Sequence, residues 1–283
     1  MKLPSLACDC HVHVIGDQAS YPMTPQRHYT PGLASHEDLL AQMARLSLER
    51  AVLVQPSVYG YDNRCMLDSL KRMGNSGRGV AVLPETVSAS ELAQLADNGI
   101  AAIRLNLESS HNRDARAVRD GLARWADRVG EFGWHIQLYA SFNVIEAALE
   151  SFNNLPVPIV LDHFAMIPAA ASLAASGTQR LLQQMAEGNL YVKLSAPYRI
   201  GTDQEKQRVS ELAAALIDAN PERVLWGSDW PHTSRDPEKP ATQVSAYRLI
   251  GKQELVDELN AWLGNEALAH KVLVDNPARL YRF

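Results

Sequence analysis

The sequence predicts an α/β fold, a (β/α)₈ barrel in a single domain spanning residues 1–283, and three observations carry that prediction. Eight short apolar runs rich in β-branched residues recur along the 283 residues, with helical patterns between them. Strands alternating with helices imply a parallel sheet, because parallel neighbours need a crossover connection. No G-x-G-x-x-G follows the first run, which reads His11-Val12-His13-Val14-Ile15-Gly16, so a doubly wound dinucleotide fold is not expected.

The runs are Ala7–Val14, Ala51–Gln55, Gly79–Pro84, Ala101–Asn106, Trp134–Ala140, Pro158–Phe164, Leu190–Ala196 and Arg223–Trp230. Helices are expected at Glu37–Leu48 behind a Ser35 cap, and at Ser88–Asp97, where Ser88 and Glu91 have capping-box spacing. Longer ones are expected at Asp114–Phe132, Asn143–Phe152, Ala170–Ala186 and Glu205–Ala219, with more after Ala241 and around Glu266–Val274. No linker or repeat divides the chain.

Hydrophobic residues make up 46% and charged residues 21%, a globular balance that excludes disorder. Lys plus Arg number 27 against 32 Asp plus Glu, so no basic excess exists to bind nucleic acid or an anionic membrane. Local arginines remain free to hold a small anion. Three cysteines, with no signal-like start and no apolar run long enough to span a membrane, predict a cytoplasmic protein without disulfides. Apolar helix faces can cover the barrel or support a dimer, so a monomer or homodimer is expected.

In this fold the reacting groups sit at the carboxyl ends of the strands. Alternation along the first run puts Asp9, His11 and His13 on one face and Cys8, Cys10 and the valines on the other. With the second set packed on helices, both histidines point into the barrel mouth. His163 ends the sixth run, and Asp229 follows the apolar Val224-Leu225-Trp226, where an unpaired carboxylate is costly to bury. Arg104 lies inside an apolar strand and needs a carboxylate, either protein or ligand. His135, Gln137 and Tyr139 share one face, Tyr139 nearest the mouth. Lys193 reads as an interior ion-pair residue, with Asp9 as a partner, and Tyr198 and Arg199 follow in the next loop.

Hydrolysing an ester needs an activated water, a group to steady charge on the carbonyl oxygen, and a handle on the substrate. Asp229 as base, His11, His13 and His163 as carbonyl-polarising groups, and Arg104, Tyr139 and Arg199 as substrate-binding groups would meet those needs. Three imidazoles and one carboxylate (His11, His13, His163 and Asp229) are also a plausible site for one divalent ion, zinc first.

In order along the chain, Asp-x-His-x-His, Ile-Arg-x-Asn, Asp-His-Phe, Val-Lys-Leu-Ser, Gly227-Ser228-Asp229-Trp230-Pro231-His232 and Asn276-Pro277-Ala278-Arg279-Leu280-Tyr281 resemble the amidohydrolase superfamily. The resemblance is to its 2-pyrone-4,6-dicarboxylate lactonase-like branch and covers essentially the whole chain. It implies a hydrolase opening a lactone of a small carboxylated compound, with no metal required. With Arg104 on the fourth strand, a bridged two-metal centre is not expected. The resemblance also implies Tyr29, carried over from Tyr29-Thr30-Pro31, as a fourth substrate-binding group. The branch pattern also places a second carboxylate-binding arginine six residues after Arg104; Ser110 stands there, with His111 and Arg113 beyond. Alternatives are a metal-dependent decarboxylase of an aromatic or muconate-type acid, a sugar-lactone hydrolase or isomerase, and a non-catalytic carboxylate-binding protein.

Overall fold

The computed structural model describes residues 2–107 and 115–283; Ser110, His111 and Arg113 lie outside them. The eight expected strands are present: β1 (Cys8–Val12), β2 (Arg50–Val54), β3 (Gly77–Ala81), β4 (Ile100–Asn106), β5 (His135–Tyr139), β6 (Ile159–Leu161), β7 (Leu190–Ser195) and β8 (Val224–Gly227). They pair in that order and all in parallel. At the carboxyl end the first and last strands are joined: Asp229 N donates to His11 O at 2.9 Å and His13 N to Trp230 O at 2.8 Å. Asp9 ties the same seam, its Oδ1 accepting from Ser228 N at 2.9 Å and His11 N at 3.1 Å. The result is a (β/α)₈ barrel whose seam carries three of the expected site residues, His11, His13 and Asp229.

Helices α1 (His36–Leu46), α2 (Arg64–Met73), α3 (Ala89–Asp97), α4 (Ala115–Gly130), α5 (Phe142–Phe152), α6 (Ser176–Glu187) and α7 (Lys206–Ala219) separate successive strands, and α8 (Lys252–Leu263) follows β8. Ser35 caps α1 through a reciprocal box with Asp38, and Ser88 caps α3 through the expected box with Glu91. Helix α2 was not expected from the sequence. Its preceding Asn63 gives the helix no side-chain cap and instead brackets the chain at Val82, donating to Val82 O and accepting from Val82 N. The apolar Met66, Leu70 and Met73 then pack inward.

Two strands stop short of the expected runs for a shared reason. β6 ends at Leu161, and the chain turns through left-handed backbone at His163, Phe164, Ala165 and Met166 (φ 51°, 55°, 55° and 53°). β8 ends at Gly227, and Asp229 has φ 61°. Left-handed backbone breaks the strand and re-aims the side chain at the mouth.

The first strand departs most from expectation. Asp9 pairs with Ala51 and Val12 with Leu53, so three steps on β1 span two on β2, a bulge. The extra residue flips the alternation. Cys8 and Cys10 therefore pack inside the barrel with Val52, Val54, Val80, Ala102, Val160 and Leu225, rather than on the helices. Asp9 points to the outer side of the seam, while His11 still faces inward.

The C-terminal helix Asn276–Tyr281 closes the other end. Asn276 Nδ2 donates to Pro221 O and Val224 O, both at 2.8 Å, and Leu280 and Tyr281 join the interior cluster. Above the mouth, Thr30–Pro31 pairs in parallel with Val244–Ser245, a contact between distant segments that strand periodicity did not signal.

Gly227 is the tightest point of the seam, since a Cβ there would lie 2.6 Å from His11 Cβ and 2.8 Å from His11 N. Gly227→Ala is expected to lower unfolding stability by about 1–3 kcal/mol through overpacking against backbone. Urea denaturation measures this, and an unchanged midpoint would refute the close approach.

Candidate active site

The mouth of the barrel holds a cavity of about 270 Å³ whose lining includes His13, Tyr29, Arg104, Tyr139, His163, Arg199 and Asp229. His11 lies just behind it, fully buried, its ring 5.0 Å from that of His13 and 4.8 Å from that of His163. All eight residues singled out in the sequence thus converge on one place. Their pairings are less predictable than their positions.

Asp229 is buried and divides its two oxygens between different tasks. Oδ2 accepts from Tyr198 Oη at 2.7 Å and from Arg199 Nε and Nη2 at 3.1 and 2.7 Å. Oδ1 has no hydrogen-bond partner and lies 3.6 Å from His11 Nε2 and 3.5 Å from His13 Nε2. Burial opposes ionisation of this carboxyl, but the Arg199 guanidinium and the surrounding imidazoles together outweigh it and hold the group well below its ordinary range. Asp229 is therefore a carboxylate with one free oxygen aimed at the histidines.

The histidines are fixed by their other nitrogens. His13 Nδ1 lies 2.7 Å from Val54 O; a carbonyl only accepts, so Nδ1 carries a proton and Nε2 faces the mouth. His163 Nδ1 meets Ser195 Oγ at 2.8 Å, and its ring edges against Tyr139 at 5.1 Å. Burial pushes its imidazole down to about 3, so His163 is neutral in ordinary buffers. His11 Nδ1 lies 3.3 Å from Asp162 Oδ1. Burial likewise drives His11 well below the usual imidazole value.

Asp162 is the residue that sequence reasoning missed. It lies directly before His163 and is fully buried. Its Oδ2 accepts from Arg104 Nε and Nη2 at 3.3 and 3.1 Å and from Gln137 Nε2 at 3.1 Å; Lys193 Nζ stands 3.6 Å from Oδ1. Lys193 also donates to Gln137 Oε1 at 2.6 Å. The partner of Lys193 is accordingly Asp162 and not Asp9, because the bulge in β1 carries Asp9 to the outer side. Arg104 finds its carboxylate within the protein, and Arg199 does the same at Asp229, yet both still border the cavity. The signal was available in outline: a lone arginine and a lone lysine, both inside apolar strands, demand an acid between them.

Tyr29 lines the cavity as expected, positioned by the Thr30–Pro31 pairing, and burial raises its phenol above the ordinary value. His28, Ser57, Asn106, Thr233, Ser234 and Arg235 complete the polar wall and were not singled out in the sequence. They lie in loops whose convergence depends on the closed barrel.

A family model described as Amidohydrolase matches residues 8–283. The chain belongs to the amidohydrolase family. Curated relatives of this amidohydrolase include a 2-pyrone-4,6-dicarboxylate hydrolase of Comamonas testosteroni, 33% identical over 99% of this chain and 91% of that protein. A 4-sulfomuconolactone hydrolase of Rhizobium radiobacter is 30% identical over 99% of this chain and 91% of its own length. A solved structure from Pseudomonas putida, named as a candidate 2-pyrone-4,6-dicarboxylic acid hydrolase, superposes with a TM-score of 0.82 at 30% identity, covering 99% and 98% of the two chains. The named relatives are lactone hydrolases.

The donor set of a metal site is present. His11, His13 and Asp229 offer ligand atoms within 4.8 Å of one another, as do His11, Asp162 and His163. His11 Nε2 and Asp229 Oδ1 are buried without hydrogen-bond partners, which is the orphaned geometry that a cation would satisfy. The first triad fits a divalent ion, with His163 grouped instead with Asp162. Among the described residues no helix is long and apolar enough to cross a membrane.

Asp162→Ala would leave Arg104 and Lys193 buried without their carboxylate. It is expected to destabilise the protein by about 3–5 kcal/mol. A denaturant midpoint unchanged in that variant would contradict the pairing.

Proposed function

We propose that the protein is a hydrolase that opens the ring of a small carboxylated lactone, acting as one barrel domain over residues 1–283. One observation carries the reading: Asp229 Oδ1, ionised and unbonded, lies 3.6 and 3.5 Å from the His11 and His13 imidazoles at a cavity that His163 and three arginines also line. The relationship to lactone hydrolases of known name supports it.

In this mechanism Asp229 Oδ1 removes a proton from water as the water attacks the lactone carbonyl carbon. Arg199 and Tyr198 keep Oδ2 occupied, so the base has one orientation. With Ser195 Oγ taking the donor role in its 2.8 Å contact with His163 Nδ1, the proton of that ring sits on Nε2 and serves the carbonyl oxygen as it becomes an oxyanion. His11 and His13 line the other side. Collapse of the tetrahedral adduct breaks the bond to the ring oxygen. The proton held on Asp229 goes to that oxygen, giving a ring-opened acid and restoring the carboxylate. Arg104, Tyr139, Tyr29 and Arg199 hold the substrate's carboxylate and its ring.

A divalent ion, if one binds, would be held by His11, His13 and Asp229, and would supply Lewis-acid polarisation of the carbonyl. We propose that turnover does not require it. Asp229 and Asp162 each already carry a cationic partner, which leaves little uncompensated negative charge to attract a dication. A cytoplasmic location fits three cysteines that are buried and unpaired, and the enzyme is proposed to work as a monomer or homodimer.

Three outcomes follow, measured on a panel of pyrone dicarboxylate, muconolactones and sugar lactones. Asp229→Asn is expected to lower kcat by about 10²–10⁴-fold on the lactone that the wild type opens, the range for loss of a general base; near-normal turnover would remove Asp229 from that role. Chelation followed by desalting is expected to leave activity intact. Loss of activity, restored by one equivalent of zinc, would instead assign the polarisation to an ion. Finally, neither His163 nor Asp229 should put a limb on kcat between about pH 5 and 8, because burial pushes His163 down to about 3 and Asp229 lies below the ordinary carboxylate range of about 4. A limb near 6.5 would show a titrating imidazole.

A further inference from the structure

Three arginines line the cavity, and they differ in what their charge does. Arg104 is committed to Asp162 and Arg199 to Asp229. Arg235 is exposed at the rim and bonds none of the described residues. The acid beside it is engaged elsewhere: Asp236 Oδ1 accepts from Glu238 N at 3.1 Å, and Oδ2 faces Lys239 Nζ at 3.4 Å.

The backbone around Arg235 is nonetheless held on both sides. Two residues before it, Thr233 Oγ1 accepts from Arg199 Nη2 at 3.5 Å and Thr233 O accepts from Arg248 Nη1. One residue after it, Asp236 N donates to Ser245 Oγ at 3.2 Å, and Ser245 belongs to the short strand paired with Thr30–Pro31. The left-handed turn at Asp229 starts this segment, so the loop that presents the base also presents the free guanidinium.

We propose that Arg235 is a specificity-determining residue that binds a carboxylate substituent of the substrate remote from the ester being opened. This rests on the lactone reading of the same cavity. A guanidinium offers paired N–H donors to a carboxylate, and anchoring its backbone beforehand reduces the ordering cost of binding. Arg104 and Arg199 also balance the two buried carboxylates, so the positive charge of the pocket that no protein acid offsets lies at the rim.

The test is a binding ratio, which does not depend on turnover. Isothermal titration calorimetry compares isophthalate, a six-membered ring with two carboxylates, with benzoate, the same ring with one. Wild type is expected to bind isophthalate at least about tenfold more tightly, the scale of one charge-assisted contact. Arg235→Gln should lose most of that ratio and Arg235→Lys should recover part of it, both with wild-type melting temperatures. A wild-type ratio near one, a ratio that Arg235→Gln leaves unchanged, or an equal loss of both ligands would each overturn the proposal. An enzyme that binds with this ratio but opens no lactone would instead count against the function proposed above.

Discussion

Two carboxylates inside an apolar barrel must each be compensated, and most of the mouth is arranged to meet that demand. Asp162 has no exposure, and an unpaired charge there would be prohibitive. Arg104 from β4, Gln137 from β5 and Lys193 from β7 all turn inward to it. At an effective dielectric near 20, two unit charges 4 Å apart attract by about 4 kcal/mol. Such contacts offset desolvation only where the geometry is good and the remaining lone pairs are bonded. Four consecutive strands, β4 to β7, are thereby pinned in register beneath the cavity.

The same accounting at Asp229 gives a functional asymmetry. Arg199 and Tyr198 satisfy one oxygen and leave the other bare beside His11 and His13. A fully bonded carboxylate would be a structural ion pair, and a fully unbonded one would protonate. Half-bonded, it stays ionised and retains a free lone pair. The position that allows this is set by the seam, where Asp229 N and Asp9 tie the last strand to the first. The parts of the barrel that close it are also the parts that aim the base.

The strand-end residues were legible in the sequence because their signal is local. His11, His13, Arg104, His163 and Asp229 are polar groups at or near the ends of apolar runs, and the fold places such ends at one mouth. Pairing was less legible. The β1 bulge has no glycine or proline to mark it, yet it reversed the faces of Cys8, Cys10 and Asp9 and so removed Asp9 from Lys193. Asp162 was overlooked because its role is defined by four other strands, which bring His11, Arg104, Gln137 and Lys193 to it. The loop residues Thr233, Ser234 and Arg235 reach the cavity only once the barrel has closed, and no spacing in the chain reports that.

The central claim is that water, deprotonated at Asp229, attacks a lactone carbonyl. Mass spectrometry of product formed in ¹⁸O-labelled water by the wild-type enzyme tests it most directly. The account predicts a ring-opened acid carrying one ¹⁸O atom in its new carboxylate, with no carbon dioxide released. Release of carbon dioxide, or a product without the label, would contradict it.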